Sequence, residues 1–240
     1  MRTSEEIANQ IIEWLKTRVK EAGAKGVVFG LSGGIDSAVV AALAKRAFGD
    51  DMLGIIMPCN SLQEDEEHAR LLAKELQIPI TKVDLSKTYN TFIEASEFET
   101  EHILAKSNVK PRLRMTTLYY FGQANNYLVC GTSNKSEYEI GYFTKYGDSG
   151  SDLLPIVDLI KEEVRDLAIY LGVPKIIVEK APSAGLWEGQ TDEDEMGISY
   201  KNLDAYIKGE EVEEEVKNKI QKMNKRSEHK RRFPLKCELK

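Results

Sequence analysis

The sequence predicts an α/β protein with a doubly wound, mostly parallel sheet, flanking helices and a helical C-terminal appendage. Short runs that are apolar on both faces alternate along the chain with longer segments of helical spacing, the usual pattern of strands and covering helices in such sheets. A turn rich in glycine and serine joins the first of these runs to an almost wholly apolar helix. Of the 240 residues, 42% are hydrophobic and 30% are charged, so a disordered or low-complexity chain is excluded.

The N-terminal elements have the clearest patterns. Residues 4–22 carry an apolar stripe at helical spacing, and Gly23 ends it. Residues 26–31, GVVFGL, are rich in β-branched and aromatic side chains and predict a central parallel strand. Residues 38–48 predict a helix that is apolar nearly all round and is therefore buried.

The alternation continues beyond this first unit. It predicts strands over 52–58, 78–84 and 128–134 and helices over 65–76, 111–128 and 161–172. Residues 86–108 and 183–200 show no clear pattern, so we expect loops that order on ligand binding. Gly185, Gly189 and Gly197 are the candidate hinges of the second loop.

Charge and cysteine content restrict the partners. The formal net charge is −6, which disfavours non-specific nucleic-acid binding. The cysteines Cys59, Cys130 and Cys237 are far apart and odd in number, which excludes a disulfide framework. The N-terminus lacks signal-peptide character, and no run of about 18 apolar residues occurs. We therefore expect a cytoplasmic protein with neither a nucleic-acid nor a membrane partner.

The motif richest in chemistry is GLSGGIDS, residues 30–37, between the first predicted strand and its helix. Ligands of open α/β sheets bind at this kind of position. Gly33 and Gly34 allow close backbone approach, and the serines and the helix start supply hydrogen-bond donors for phosphate. An ordinary strand-to-helix turn capped by serine or aspartate is the alternative, but the full ordered string favours a phosphate-binding loop.

Two common nucleotide loops do not match this motif. A Walker A loop requires a lysine after its glycines, and a dinucleotide fingerprint requires GxGxxG spacing. Asp36 stands where the Walker lysine would be. A carboxylate beside phosphate is repelled unless a divalent cation lies between them, so Asp36 indicates Mg²⁺.

The loop resembles that of enzymes that split ATP into AMP and pyrophosphate. The rest of the chain is similar to ammonia-dependent NAD synthetases over nearly its whole length. The strings that carry this likeness are VKPRLRM (109–115), GTSNKSE (131–137), GYFTKYGDSGSDLLPI (141–156), KEEVR (161–165), PSAGLWEGQTDEDEMG (182–197) and HKRRFP (229–234).

The resemblance implies a fold and a reaction. The implied fold is the Rossmann-like ATP pyrophosphatase type, in a single NAD synthetase domain over 1–240. This domain has an N-terminal helix (4–22), a nucleotide-binding core (26–180) and a charged helical C-terminal part (200–240). We expect the C-terminal part to be helical over 200–228. The activity is that of a ligase forming a C–N bond. The carboxylate of deamido-NAD attacks the α-phosphorus of ATP, and ammonia then displaces AMP to give NAD. Mg²⁺ is the implied cofactor, and a homodimer is the implied assembly.

The resemblance also implies the site residues. The ATP-binding set is Gly30, Leu31, Ser32, Gly33, Gly34, Ile35, Asp36, Ser37, Thr132, Lys161 and Ser183, with Asp36 and Lys161 catalytic and with Asp36 and Glu137 as the metal ligands. The deamido-NAD set is Arg112, Lys145, Asp152, His229 and Lys230, with Arg114 as a second candidate for Arg112. Without the resemblance, Thr132 is explained as an ordinary turn residue, Glu137 as a helix-start acid and Lys161 as a solvated helix-start lysine.

Three other interpretations are weaker. A glutaminase nucleophile at Cys59 lacks a convincing histidine partner, and only about 25 residues precede the first strand, so we expect free ammonia as the nitrogen donor. A tRNA-modifying enzyme with the same loop would need reactive cysteines and a basic face; the seven Lys/Arg residues over 222–236 are better explained as a local clamp on substrate phosphates. A non-catalytic adenine-nucleotide sensor would not need Asp36.

Overall fold

The structure is a computed structural model that describes residues 2–98, 100–183, 189 and 191–238. Within these residues four parallel strands form one sheet in the order β3-β2-β1-β4. The strands are β1 (Gly26–Gly30), β2 (Met52–Ile56), β3 (Ile80–Lys82) and β4 (Tyr127–Cys130). The helices are α1 (Ser4–Glu21), α2 (Ile35–Phe48), α3 (Gln63–Glu75), α4 (Ser86–Ala95), α5 (Ile103–Ser107), α6 (Val109–Asn125), α7 (Lys135–Ile140), α8 (Lys161–Leu171), α9 (Lys175–Val178), α10 (Asp192–Met196), α11 (Tyr200–Lys208) and α12 (Glu214–Ser227), and the 3₁₀ turn Glu228–Lys230 follows α12.

The strand β1 lies at the centre of the sheet. Val28 pairs with Leu53 of β2 on one side and with Val129 of β4 on the other. Both faces of β1 are buried, which explains why its sequence is apolar without alternation. The chain turns to opposite sides of β1 to reach β2 and β4, so the carboxyl ends of β1 and β4 form a topological switch point, where such sheets bind ligands.

Helices cover both faces of the sheet. One apolar cluster joins β1 to α1, α2 and α8, and a second joins Val28 and Ile55 to Met115 and Leu118 of α6. The predicted all-round burial of α2 is confirmed, because nine of its residues are buried. The doubly wound α/β prediction is therefore confirmed.

Three parts of the sequence prediction are wrong. Residues 86–108 contain α4 and α5, which span 10 and 5 residues and therefore have too few turns to show a clear period. The predicted loop 183–200 likewise contains the short helix α10. The predicted continuous helix over 200–228 is interrupted between α11 and α12. Gly209 ends α11 in the left-handed conformation, with φ of 79°, and the flanking glutamates conceal this stop in a highly charged sequence. The candidate hinge Gly185 lies outside the described residues.

The C-terminal helices pack on α7 and form a small apolar cluster of their own. Its buried members include Ile140, Met196, Leu203 and Ile220. Gly141, with φ of 69°, ends α7, and a Cβ there would lie 2.1 Å from Cβ of Ser227. This close approach holds the end of α12, and with it the turn that carries His229 and Lys230, beside the carboxyl edge of the sheet.

None of the described helices is both long and apolar enough to cross a membrane.

Candidate active site

A cavity of about 710 Å³ opens at the carboxyl ends of β1, β2 and β4. Its walls come from the loop after β1, the turn after β4, α6, the start of α8, the segment after α9 and the C-terminal turn. The predicted ATP residues on its surface are Gly30, Leu31, Ser32, Gly34, Ile35, Asp36, Ser37, Thr132, Lys161 and Ser183. The fold therefore brings together residues that are far apart in sequence.

The loop after β1 is held in shape by its own serines. The hydroxyl oxygens of Ser32 and Ser37 lie 3.0 Å apart, and Ser37 Oγ donates to the carbonyl oxygen of Gly34 at 2.9 Å. Gly33 has φ of 81°, and a Cβ there would lie 2.3 Å from the carbonyl oxygen of Asp65. Gly33 is thus packed against α3 behind the loop, and glycine is required both for its backbone angle and for this contact.

Lys161 lies between the two predicted metal ligands. Its Nζ is 2.6 Å from Asp36 Oδ2 and 3.0 Å from Glu137 Oε1. The residue is only 8% exposed, so the interpretation as a solvated helix-start lysine is wrong. Asn134 joins the two acids, because its Nδ2 donates to Asp36 Oδ1 and its Oδ1 accepts from the backbone N–H of Glu137.

Burial controls the protonation of this cluster. Burial raises the pKa of Glu137 above its usual range, and the nearby Asp36 and Asp192 raise it further, against the opposing effect of Lys161. The pKa of Lys161 is also raised, because the attraction of Asp36 and Glu137 outweighs the cost of burial. One ammonium between two carboxylates leaves the cluster with a net negative charge when both acids are ionised.

The two carboxylates fit a magnesium site that substrate completes. In the described part of the chain, no group of three or more His, Cys, Asp or Glu side chains is arranged to hold a metal. Mg²⁺ commonly takes only one or two carboxylates and fills its remaining positions with water and substrate phosphates. Asp36 and Glu137 are hard oxygen donors that already share one cation, so they fit this arrangement.

A second layer of side chains holds Glu137 and was not anticipated from the sequence. Tyr200 Oη donates to Glu137 Oε1 at 3.0 Å and lies 3.1 Å from Asp192 Oδ2. Tyr142 Oη contacts Asp192 Oδ1 at 3.1 Å and Glu195 Oε2 at 2.7 Å. The Lys161 ammonium also lies 4.8 Å from the centroid of the Tyr200 ring. These residues lie between positions 142 and 200, and no pattern in the sequence identifies them as partners of Glu137.

Four of the predicted deamido-NAD residues lie together on the cavity wall. Arg112 donates from its guanidinium to the carbonyl oxygen of Lys145 at 3.3 Å, and Lys145 Nζ donates to the carbonyl oxygen of His229 at 2.7 Å. Lys230 Nζ donates to the carbonyl oxygens of residues 141 and 143. All three side chains donate to backbone carbonyl oxygens, but Lys230 also interacts with the carboxyl of Asp148 on the same cavity wall. The charges of Arg112 and Lys145 are therefore available to an anionic ligand.

The remaining two candidates are placed differently. Asp152 accepts from Tyr119 Oη at 2.9 Å and from the backbone N–H of Val129 at 2.8 Å, and it does not line the cavity. Arg114 lines the cavity but points to the end of β2, where it donates to the carbonyl oxygen of Met57 and to Ser61 Oγ. The residues Arg112 and Arg114 therefore serve different parts of the cavity, as expected for neighbours on a helix.

The loop after β1 lies at the carboxyl end of the central strand and has neither the lysine of a Walker A loop nor the GxGxxG spacing of a dinucleotide fingerprint. This combination, together with the likeness to solved NAD synthetases, identifies the ATP pyrophosphatase fold. The chain has this fold. A family model described as NAD synthase matches residues 7–234, and the chain belongs to the NAD synthase family.

Individual relatives agree over nearly the full length. The NH(3)-dependent NAD(+) synthetase of Finegoldia magna is 52% identical over 228 residues, covering 95% of this chain and 93% of the relative. The structure of NMN synthetase from Francisella tularensis is 39% identical, covers both chains fully and has a TM-score of 0.96. The NH3-dependent NAD synthetase of Campylobacter jejuni is 30% identical, covers 99% and 100% of the chains and has a TM-score of 0.84.

Proposed function

We propose that the protein is a ligase that amidates deamido-NAD with ammonia, with cleavage of ATP to AMP and pyrophosphate. The observation that carries the proposal is the position of Lys161, whose ammonium joins Asp36 and Glu137 beside the phosphate loop. This arrangement places one cation and a pair of metal-binding carboxylates where the triphosphate of ATP would lie. The family to which the chain belongs supports the same activity.

The first step requires no general base. The attacking carboxylate of the substrate is already ionised, so the barrier comes from orientation and from charge that builds on the α-phosphate and the leaving pyrophosphate. The start of α2 offers its first backbone N–H groups to these oxygens, Ser32 offers a hydroxyl, and Lys161 offers an ammonium. Preorganised donors of this kind are typically worth about 3 kcal/mol each in transition-state stabilisation.

Asp36 and Glu137 would hold Mg²⁺. When bound, the ion would neutralise phosphate charge that these carboxylates otherwise repel. Asn134 keeps the two acids at a fixed separation, and Lys161 prevents their mutual repulsion before substrate arrives. The carboxylates of Asp36 and Glu137 are therefore held in position in the absence of Mg²⁺, despite their negative charge.

The basic residues of the cavity suit the second nucleotide. Arg112, Lys145 and Lys230 line the same cavity as the phosphate loop, and each donates a hydrogen bond to a backbone carbonyl oxygen. A dinucleotide that directs its pyridine carboxylate toward the loop would place its own phosphates among these cations. The attacking group and the α-phosphate of ATP would then meet between the two halves of the cavity.

We also propose that the protein is a homodimer. Tyr119 and Tyr120 on α6 are exposed, with Tyr120 at 71%, and Tyr119 bonds the candidate substrate residue Asp152 outside the cavity. A second copy packed on this face would bury the aromatic surface and bring Asp152 next to the partner's substrate. Contiguous exposed apolar surface is typical of association surfaces, and Tyr119 and Tyr120 are neighbours on α6.

One assay tests the proposed reaction. The protein is incubated with ATP, Mg²⁺, deamido-NAD and either ammonium or glutamine, and NAD, AMP and ADP are followed by chromatography. We expect NAD and AMP in equal amounts with ammonium and little NAD with glutamine. Formation of ADP, or of AMP without NAD, would show that the proposal is wrong.

A second candidate substrate is nicotinic acid mononucleotide. It is favoured by the likeness to the Francisella tularensis protein, whose name is NMN synthetase. The reaction at Lys161 would be the same for both substrates. The two would differ only in their contacts with the basic residues of the cavity. Comparison of kcat/KM for the mononucleotide and for deamido-NAD decides between them, and we expect the dinucleotide to be preferred.

A further inference from the structure

A second lysine lies on the opposite side of the phosphate loop from the Lys161 cluster. Lys180 follows α9 and lines the cavity together with Ser183. Its Nζ is 2.7 Å from Asp65 Oδ1 and 3.4 Å from His68 Nδ1, and its side chain is 22% exposed. The ammonium is therefore held at the cavity wall by the first turns of α3.

This lysine is close to the loop because α3 is packed against it. The carbonyl oxygen of Asp65 and Cβ of His68 would lie 2.3 Å and 3.2 Å from a Cβ at Gly33. Lys180 contacts the side chains of these same two residues. The loop is thus flanked by Lys161 on one side and by Lys180 on the other.

The carboxylate of Asp65 explains why phosphate binding at this wall needs the cation of Lys180. Asp65 also lines the cavity, and an uncompensated carboxylate would repel a triphosphate there. In the structure Lys180 is paired with Asp65 and also lies 3.8 Å from Glu64 Oε2, so its charge offsets part of the carboxylate charge at this wall. An approaching phosphate can take hydrogen bonds from the ammonium while Asp65 keeps it in place, since an ammonium has three donors.

We propose that Lys180 is a second phosphate-binding cation of the site and binds the pyrophosphate that leaves in the first step. The inference rests on the proposed function, because it assumes cleavage between the α- and β-phosphorus of ATP. In that step the α-phosphorus–oxygen bond breaks and its electron pair stays on the pyrophosphate oxygen. Lys180 remains protonated throughout and donates hydrogen bonds to the developing charge. The competing explanation is a purely structural ion pair that fastens the segment after α9 to α3.

Direct binding of magnesium pyrophosphate to the free protein, measured by calorimetry, separates the two explanations. Lys180→Met should weaken binding about tenfold or more, since a charge-assisted hydrogen bond is lost, and Lys180→Gln should do the same. Lys180→Arg should restore most of the affinity, because it keeps a charged donor. Lys175→Met is the matched control, because Lys175 is an exposed lysine on α9, 83% accessible, that pairs with Glu179; it should bind as the native protein does.

Asp65→Asn provides the decisive comparison. This substitution breaks the same ion pair but leaves Lys180 in place, so the variant should bind pyrophosphate at least as tightly as the native protein. A structural ion pair instead requires Asp65→Asn and Lys180→Met to weaken binding equally, and that result would overturn the proposal. Unchanged pyrophosphate affinity in both Lys180→Met and Lys180→Gln would overturn it as well.

Steady-state kinetics provide a second readout. Lys180→Met should raise the inhibition constant of pyrophosphate and the KM of ATP, with the KM of deamido-NAD unchanged. An equal rise of both KM values would contradict a role confined to pyrophosphate. Because the calorimetry needs no turnover, its result holds whichever nucleotide is amidated, and a native protein that makes no NAD would contradict only the proposed function.

Discussion

The ammonium of Lys161 lies 2.6 Å from the carboxylate of Asp36, and 125 residues separate the two in the chain. They meet because α2 begins directly after β1 and because α8 packs against α2 on the same face of the sheet. Glu137, at the start of α7 after β4, completes the contact. The first predictions concern this cluster.

Replacement of Lys161 by methionine should lower kcat about 100-fold or more, because a preorganised cation at the phosphates is lost. It should also destabilise the folded protein by about 3 kcal/mol or more, because two buried carboxylates are left without their cation. The exposed pair of Lys135 with Asp158 is the control, and Lys135→Met should cost less than about 1 kcal/mol. Turnover assays and urea unfolding measure the two effects; equal effects of the two substitutions would contradict the assignment.

Asp36→Asn should abolish AMP formation while the protein stays folded. Asparagine keeps the size of the side chain but removes the charge that Lys161 and a metal ion require. AMP release and thermal unfolding are measured together, with Asp158→Asn as an exposed control. Turnover that survives at more than a small fraction of the native rate would remove Asp36 from the metal site.

Magnesium binding to the free protein should strengthen as the pH rises. Burial raises the pKa of Glu137 from 4.5 to about 7, so below that pH a bound proton must leave before the carboxylate accepts the ion. Affinity should rise by up to about tenfold per pH unit below the pKa and level off above it. Calorimetry at a series of pH values measures this, and Glu137→Gln should bind weakly at every pH. A flat profile in the native protein would be inconsistent with Glu137 as a ligand.

Tyr200→Phe should weaken magnesium binding and lower stability without loss of the fold. The ring beside Lys161 is kept, but Glu137 and Asp192 lose the hydroxyl that they share, at a cost of about 1–3 kcal/mol. Tyr120→Phe, at an exposed position, should have no measurable effect. Identical unfolding curves and magnesium affinities for both variants would show that the Tyr200 hydroxyl has no positioning role.

The protein should be a dimer in solution, and Tyr120→Glu should shift it toward the monomer. The substitution places a charge on the exposed face of α6, where aromatic area would be buried between copies. Ile169→Glu is the matched control, because Ile169 is similarly exposed but lies on α8, which covers the other face of the sheet. Light scattering over a concentration series measures both. A monomeric native protein, or equal dissociation in the two variants, would exclude this face.

The alternation of strands and helices could be predicted from the sequence, as could the buried character of β1 and α2 and the chemistry of the loop at 30–37. These features are local: a hydrophobic period or a glycine-rich turn depends on residues within a few positions of one another. The same sequence did not reveal the helices within 86–108 or the break at Gly209. Short amphipathic helices have too few turns to show a period, and surrounding charge hides a helix stop.

The folded structure was needed to show which side chains are in contact. The resemblance grouped Asp36, Glu137 and Lys161 in one site, but their mutual contacts depend on two strand ends and three helix starts meeting at one edge of the sheet. The folded structure also placed Tyr200 against Glu137, Lys180 against Asp65, and Asp152 outside the cavity. These contacts could not be predicted because charges and hydrogen bonds act between groups a few ångströms apart in space. A sequence pattern shows only which residues are neighbours along the chain.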